Sequence, residues 1–561
     1  ALSEDERNEL KAIANDEKEI ENRFYGPLEF GTAGLRGTMY VGLHNMNRHV
    51  IRWATQGFAN VIRAEGEEAM KKGVAICMDC RNHSMEFARA AACVMAGNGI
   101  NVKLFESLRP TPELSFAVRE YGCEAGINVT ASHNPKEYNG YKAYWTDGSQ
   151  VTAPHDRNII AEVEKITSID QILTGANPGN ITLLGEEFDE IYLNKVHTLS
   201  LSPESVGKFH DMKIAYTPLH GAGVRLVPAS LRKWGFTNVS LVEEQAVIDG
   251  NFPTVESPNP EERKTMAKAI ELGSRLGADL VLATDPDSDR IGVALRNAKG
   301  EYVLLNGNQT LSLIMAYQLT RWSELGRLDG KEFVVKTIVT SQMPNVMAAH
   351  FGVKCYDCLT GFKYIARIIR NNEGKATYIG GGEESFGYLA GDFVRDKDAV
   401  SACSLVAEAA AWTRDTMGLT LYEWLQKLYV EFGFFREGLV SVVRKGMEGA
   451  AEIQQMMVDY RADPPREIAG SPVVKINDFK LLESTDVRTG AKTPIEEEAS
   501  NVLQWFAADG TVVSVRPSGT EPKIKFYFGV RAELESVADF DRVEAGLDAK
   551  IETIKKELKL V

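Results

Sequence analysis

Ala125-Gly126-Ile127-Asn128-Val129-Thr130-Ala131-Ser132-His133-Asn134-Pro135 is an apolar run that ends on a small hydroxyl, a histidine and an Asn-Pro turn. A short apolar run closed by a turn signal predicts a buried strand. Upstream, the predicted strand Val74–Met78, helix Met85–Gly97 and strand Val102–Phe105 alternate as βαβ units, so the sheet is expected to be mostly parallel. Reactive groups on such sheets lie beyond the carboxyl ends of strands, and Ser132 falls there. A serine in a turn is ordinarily a local backbone partner. Three remote stretches with phosphate, metal or sugar chemistry shift the reading of Ser132 toward a residue that carries a phosphoryl group.

The strongest of these is Thr284-Asp285-Pro286-Asp287-Ser288-Asp289-Arg290, delivered by the predicted strand Leu280–Ala283. Three carboxylates at alternate positions repel unless a cation joins them, and oxygen ligands favour Mg²⁺, Mn²⁺ or Ca²⁺ over zinc. An EF-hand would need Gly at the sixth place and Glu at the twelfth; Arg290 and Arg296 stand there. A helix cap is the competing reading, but Ile291-Gly292-Val293-Ala294 looks like a strand. Gly380-Gly381-Gly382-Glu383-Glu384-Ser385-Phe386-Gly387 follows the predicted strand Ala376–Ile379 and offers acceptors for sugar hydroxyls. Arg516-Pro517-Ser518-Gly519-Thr520 gathers a guanidinium fork, two hydroxyls and backbone N–H groups, a set that matches phosphate.

Smaller signals surround these. Phe30-Gly31-Thr32-Ala33-Gly34-Leu35-Arg36-Gly37 is a glycine-rich loop with one charge, Arg36. Asn139-Gly140 predicts a tight hairpin, with Lys142 on the return strand one short step from Ser132. Thr360-Gly361-Phe362-Lys363 turns into a helix, and Arg395-Asp396-Lys397-Asp398 opens another. A boundary is expected near Ser200–Lys208, and Phe432–Glu437 reads as a linker into a smaller α+β domain.

Composition sets limits. A chain of 561 residues exceeds what one core supports, and 44% hydrophobic with 25% charged residues is globular. A net charge of -15 argues against nucleic acid or anionic membrane as the main partner. No apolar stretch approaches the ~20 residues of a spanning helix. The opening Ser3-Glu4-Asp5-Glu6 predicts a capping box rather than a signal peptide. Seven cysteines, an odd number, point to a reducing compartment, and a cytoplasmic location is expected. Cys77/Cys80 and Cys355/Cys358 have Cys-x-x-Cys spacing but lie about 275 residues apart, so buried structural thiols are expected rather than zinc.

Taken together, the chain resembles the α-D-phosphohexomutase superfamily over nearly its whole length, in its phosphoglucomutase/phosphomannomutase branch. Thr-Ala-Ser-His-Asn-Pro at 130–135, Asp-Pro-Asp-Ser-Asp-Arg at 285–290, Gly-Glu-Glu-Ser at 382–385 and Arg-Pro-Ser-Gly-Thr at 516–520 carry the resemblance, in the family's order. It implies an α/β fold class: four domains around a central cleft, three of them related mixed α/β domains and the last a smaller C-terminal α+β domain. The expected limits are 1–205 for the phosphoserine loop, 206–318 for the metal loop, 319–434 for the sugar loop and 435–561 for the phosphate loop. It implies Ser132 as phosphoserine and as a ligand, with Asp285, Asp287 and Asp289, of one Mg²⁺. Glu383 and Ser385 would hold sugar hydroxyls; Arg516, Ser518, Gly519 and Thr520 would hold the phosphate not being transferred. Arg36, His133, Lys142 and Arg290 fall at positions around the phosphoserine, and Thr360, Gly361, Lys363 and Lys397 fall in substrate-contacting motifs.

The expected activity is interconversion of glucose 1-phosphate and glucose 6-phosphate through glucose 1,6-bisphosphate, with mannose phosphates as further substrates. Lys142 and His133 both remain candidates for the general base. Pro286 stands where many members carry Gly. Gly387 stands where some phosphomannomutases have His, which points away from a mannose preference. Glu384 stands where phosphoglucosamine enzymes carry Gln. The alternatives are a phosphopentomutase, a hexose 1,6-bisphosphate synthase, or a non-catalytic sugar-phosphate sensor. The partners expected are small sugar phosphates, with no nucleic acid and no membrane, and a monomer or weak dimer.

Overall fold

The computed structural model describes residues 2–28, 34–175, 180–444, 446–518 and 523–560. The chain packs as two compact units, residues 1–333 with 362–418, and residues 334–361 with 419–561.

The first unit holds two mixed sheets. In one, the strands run in the order Gly34–Thr38, Tyr138–Trp145, Ala125–Val129, Val74–Met78, Val102–Phe105, Ile181–Leu184. The last four pair in parallel, and the first two are antiparallel additions at the other edge. All residues of Val74–Met78 and Ala125–Val129 are buried, as befits strands covered on both faces. Helices Arg48–Glu65, Ser84–Gly97 and His155–Glu164 close this core. The other sheet runs Tyr302–Leu304, Ile291–Arg296, Leu280–Thr284, Ile214–Thr217, Val239–Leu241, again parallel in its centre with an antiparallel edge. The first unit also holds the antiparallel hairpin of Thr377–Glu383 and Gly387–Ala390.

A buried helix, Ala399–Met417, joins these parts. Its residues 399–413 are all buried, and its many alanines admit close neighbours. Ser404 bonds Ser230 of helix Gly223–Trp234 at 2.7 Å. Its Glu408 accepts from the backbone of Leu201 and Ser202 at 2.9 and 3.0 Å, from Tyr317 at 2.9 Å and from Ser200 Oγ. A buried carboxylate survives only with such partners.

The second unit is built on an antiparallel meander in which Phe434–Val443 pairs with Lys523–Ala532, then Val512–Pro517, Leu503–Ala507 and Ser471–Asp478. Helix Phe540–Glu557 packs against it. Strand Lys354–Cys358 and helix Met343–His350 also belong to this unit.

Three expectations are corrected. Phe432–Glu437 is no linker: helix Leu421–Phe432 runs into strand Phe434–Val443, whose ten residues all pair with Lys523–Ala532. Gly380–Glu383 extends a strand instead of forming a loop, because it pairs with Gly387–Ala390. Asn139-Gly140 is not a hairpin turn but lies within strand Tyr138–Trp145. Glycine is needed there because a Cβ would stand 2.4 Å from the Thr130 carbonyl oxygen. The Ser3/Glu6 capping box forms as expected. No helix among the described residues is long and apolar enough to cross a membrane.

Candidate active site

Ser132 follows strand Ala125–Val129 and takes a left-handed backbone, φ 51°. That conformation costs a non-glycine residue on the order of 1–3 kcal/mol and persists only where neighbours impose it. They do so here. Its N–H donates to Thr130 Oγ1 at 2.9 Å, and Thr130 Oγ1 donates to buried Asp79 at 2.6 Å. The fully buried Arg81 guanidinium donates to the carbonyls of Ser132 at 2.6 Å, Pro135 at 2.8 Å, Tyr138 at 3.0 Å, and also Asn134. The loop is therefore clamped from strand Val74–Met78, the parallel neighbour of the seryl strand.

The aspartate loop comes from the other sheet of this unit, between strands Leu280–Thr284 and Ile291–Arg296. A following strand excludes the helix-cap reading. Asp285, Asp287 and Asp289 are all buried, and an oxygen of each lies within 4.8 Å of the others. Ser132 Oγ donates to Asp285 Oδ2 at 2.7 Å and stands 3.2 Å from His133 Nδ1. Two lysines enter from different elements. Lys142 Nζ lies 3.1 Å from Asp287 and 3.8 Å from Asp289; Lys397 Nζ lies 3.1 Å from Asp289 and 3.4 Å from Asp396. The structure thus brings together Ser132, His133, Lys142, Lys397 and all three aspartates.

Electrostatics reflect this crowding. Burial and repulsion from Asp287 and Asp289 push the Asp285 carboxyl well up, and burial and Asp287 raise Asp289. Burial works the same way on Asp287, but the Lys142 ammonium together with hydrogen bonds from Asp285, Lys142 and Thr111 holds that carboxyl down. Burial opposes the charge on Lys397, yet Asp289, Asp396 and Glu383 hold its pKa above the usual lysine value. Burial and the flanking Arg290 and Arg36 guanidiniums depress His133 well below the usual imidazole value, so it is neutral near pH 7. Asp287 Oδ1 and Asp289 Oδ1 are buried without a hydrogen-bond donor. An all-oxygen group with two orphaned carboxylate oxygens fits a hard divalent cation. Among the described residues this is the one group of His, Cys, Asp or Glu placed to share a metal. All seven cysteines are free thiols; Cys77 and Cys358 are buried, and Cys80 and Cys355 half-buried.

Of the remaining predicted residues, Arg36 donates to Asn134 Oδ1 at 3.2 Å. Arg290 pairs with Glu261 and lies 3.9 Å from Asp289, and its backbone bridges to Gly387. Glu383 ends its strand, buried, and Ser385 sits in the hairpin turn. Lys363 is in the first turn of helix Phe362–Asn372. Thr360 and Gly361 belong to the second unit, as do Arg516 and Ser518. There, Ser518 N–H donates to the Lys523 carbonyl at 2.8 Å. Gly519 and Thr520 lie outside the described residues, as do Phe30–Ala33 of the glycine-rich loop.

Sequence reasoning passed over Asp79, Arg81, Thr111, Tyr144 and Asp396. Asp79 and Arg81 follow a strand that parallels the seryl strand, so their position beyond its carboxyl end was the available signal. Asp396 stands beside Lys397 and accepts from Tyr144 at 2.8 Å and Gln150 at 3.1 Å.

Comparison with known proteins bears on the whole chain. Family models described as phosphoglucomutase/phosphomannomutase α/β/α domains I, II and III match residues 27–170, 190–300 and 306–432. The model of the C-terminal domain matches residues 475–547. The phosphoglucomutases of Staphylococcus aureus strains N315 and MRSA252 are 35% and 34% identical to it over 548 residues, 97% of this chain and 96% of theirs. Among solved structures, a putative phosphomannomutase from Thermus thermophilus is 22% identical with a TM-score of 0.68, covering 90% of this chain and 96% of that one. The open form of parafusin, a phosphoglucomutase from Paramecium, is 16% identical with a TM-score of 0.66, covering 95% and 96%. At such identities these two speak for the fold alone.

Proposed function

The chain belongs to the phosphoglucomutase/phosphomannomutase family, with its three α/β/α domains and C-terminal domain, and from that premise we propose that it interconverts glucose 1-phosphate and glucose 6-phosphate. Family membership makes it a phosphohexomutase, an isomerase of sugar phosphates. The observation that carries the finer reading is the placement of Ser132 Oγ at 2.7 Å from a buried carboxylate trio flanked by two lysines.

In this reading phosphorylated Ser132 donates its phosphoryl group to the free hydroxyl of the bound sugar phosphate. The resulting 1,6-bisphosphate turns over, returns its other phosphate to Ser132, and the product leaves. Such transfer depends on in-line placement and charge stabilisation rather than covalent chemistry by the protein. Asp285, Asp287 and Asp289, with the seryl phosphate, would hold Mg²⁺, which when bound supplies positive charge against the phosphoryl oxygens. Lys142 and Lys397 add cationic charge beside the trio, and Arg36 and Arg290 flank His133. Arg81 helps hold Ser132 in the left-handed backbone conformation in which Oγ meets Asp285. His133, neutral and 3.2 Å from Oγ, can accept a proton, and Lys142 stands beside Asp287 and Asp289. Ser132 is 4% exposed, which protects a phosphoseryl ester from water. Glu383 and Ser385 are assigned to sugar hydroxyls, and Thr360, Gly361, Lys363 and Lys397 to substrate contacts. Arg516, Ser518, Gly519 and Thr520 are assigned to the second phosphate.

The test compares wild type and Ser132→Ala for glucose 1-phosphate turnover, with and without Mg²⁺ and glucose 1,6-bisphosphate. Turnover by wild type that needs both and vanishes in Ser132→Ala is expected. Full activity of the substituted protein would refute the assignment. Faster use of ribose 1-phosphate, or of 1,3-bisphosphoglycerate as donor, would redirect it to a pentomutase or a bisphosphate synthase.

A further inference from the structure

Thr111 opens helix Thr111–Glu120 between Pro110 and Pro112 and is wholly buried. Both of its donors go to one residue of the aspartate loop. Its backbone N–H donates to the Asp287 carbonyl at 2.8 Å, and its hydroxyl donates to Asp287 Oδ2 at 2.9 Å. The same hydroxyl oxygen accepts the side-chain amide of Asn128 at 2.7 Å. A hydroxyl carries one proton. With the Asn128 N–H occupying a lone pair and an anionic oxygen as the other neighbour, that proton is committed to Asp287. Asn128 lies in strand Ala125–Val129, which leads directly into Ser132. A continuous chain of hydrogen bonds therefore runs from the seryl strand through Thr111 to the central carboxylate of the trio. Lys142 supplies the other bond to Oδ2, so this oxygen is fully engaged while Oδ1 has no donor. The division of labour is that of a carboxylate oriented through one oxygen so that the other can take a ligand.

We propose that Thr111 is a positioning residue for divalent-cation binding: it fixes the Asp287 carboxylate and keeps the aspartate loop in register with the Ser132 strand. This rests on the reading of the trio as a cation site. Groups that orient a metal ligand in this way typically contribute 10–100-fold in metal affinity. Thr111→Val keeps the shape and deletes the hydroxyl; Thr111→Ser keeps the hydroxyl.

The experiment is Mn²⁺ titration of the full-length protein, read by electron paramagnetic resonance of free Mn²⁺ and by calorimetry, for wild type, Thr111→Val, Thr111→Ser and Asp287→Asn. One Mn²⁺ in wild type, none in Asp287→Asn, at least about tenfold weaker binding in Thr111→Val and near wild-type binding in Thr111→Ser are expected. The Mg²⁺ concentration for half-maximal turnover should rise by the same factor in Thr111→Val. If Thr111→Val does not fold, Thr111→Cys, with its weak thiol donor, is read against the same tenfold criterion. Wild-type affinity in Thr111→Val, or equal weakening in Thr111→Ser, overturns the role of the hydroxyl and leaves the cation site standing. No Mn²⁺ bound by wild type, or full binding by Asp287→Asn, overturns the cation site and the role of Thr111 with it.

Discussion

Gly387 offers a small perturbation with a large calculable effect. It lies in the strand Gly387–Ala390, and a Cβ built on it would stand 2.1 Å from Lys397 Cδ and 2.7 Å from Cγ. Carbon atoms settle at about 3.5–4.0 Å, so in Gly387→Ala the lysine stem must retreat by more than about 1 Å. Its Nζ is held 3.1 Å from Asp289 and 3.4 Å from Asp396, so the ammonium withdraws from both. At an effective dielectric of about 20, lengthening such a pair by about 1 Å forfeits roughly 1 kcal/mol, and two pairs forfeit roughly 2 kcal/mol. If Lys397 acts on the substrate beside the trio, kcat/KM falls about 10–30-fold. The assay couples glucose 6-phosphate formation to NADP reduction, with thermal melting run beside it to confirm a folded enzyme. A folded Gly387→Ala protein within twofold of wild-type kcat/KM would refute the reasoning.

Other outcomes follow from the same geometry. Arg81→Lys replaces a fork that serves four carbonyls with a point charge, so turnover should drop at least about 100-fold while the fold persists, with activity near wild type contradicting the clamp. Glu408→Ala orphans the buried N–H donors of Leu201 and Ser202 and leaves Tyr317 only its bond to Ser202 Oγ, so urea unfolding should show a loss of about 3 kcal/mol or more; a loss under about 1 kcal/mol would show that these groups find other partners. Burial pushes Glu437 up to about 7 despite its hydrogen bond with Ser341. An acid with a raised folded pKa binds its proton more tightly when folded, so its contribution is present below the unfolded value and lost as pH rises toward 7. Glu437→Gln should therefore flatten the fall in melting temperature between about pH 5 and pH 7, and an unchanged slope would contradict it.

What the sequence disclosed was mainly local. Strand Ala125–Val129, the aspartate loop at the end of Leu280–Thr284 and the lysine of the return strand each announce themselves through a few consecutive residues. What it concealed depends on pairing across distance. Phe432–Glu437 looks like a linker because it holds the end of a helix and the start of strand Phe434–Val443, which only its partner Lys523–Ala532 explains. Gly140 and Gly387 look like turn glycines, yet each is small because another group, the Thr130 carbonyl or the Lys397 stem, occupies the space of a Cβ. Nothing in the local sequence singles out Arg81 or Thr111. Their roles emerge only when strand Val74–Met78 lies beside the seryl strand and helix Thr111–Glu120 meets Asp287. The family motifs pointed to Ser132 and the aspartate trio, and the fold shows which residues hold them in place.

The central claim is that Ser132 carries the phosphoryl group between the two positions of the sugar. Brief incubation of the full-length protein with glucose 1,6-bisphosphate labelled in its phosphates, followed by quenching, proteolysis and peptide mass spectrometry, tests it directly. About one phosphate per chain on Ser132, discharged by unlabelled glucose 6-phosphate or glucose 1-phosphate and absent from Ser132→Ala, is the predicted result. Continued turnover with no label on Ser132, or with the label on another residue, would contradict it.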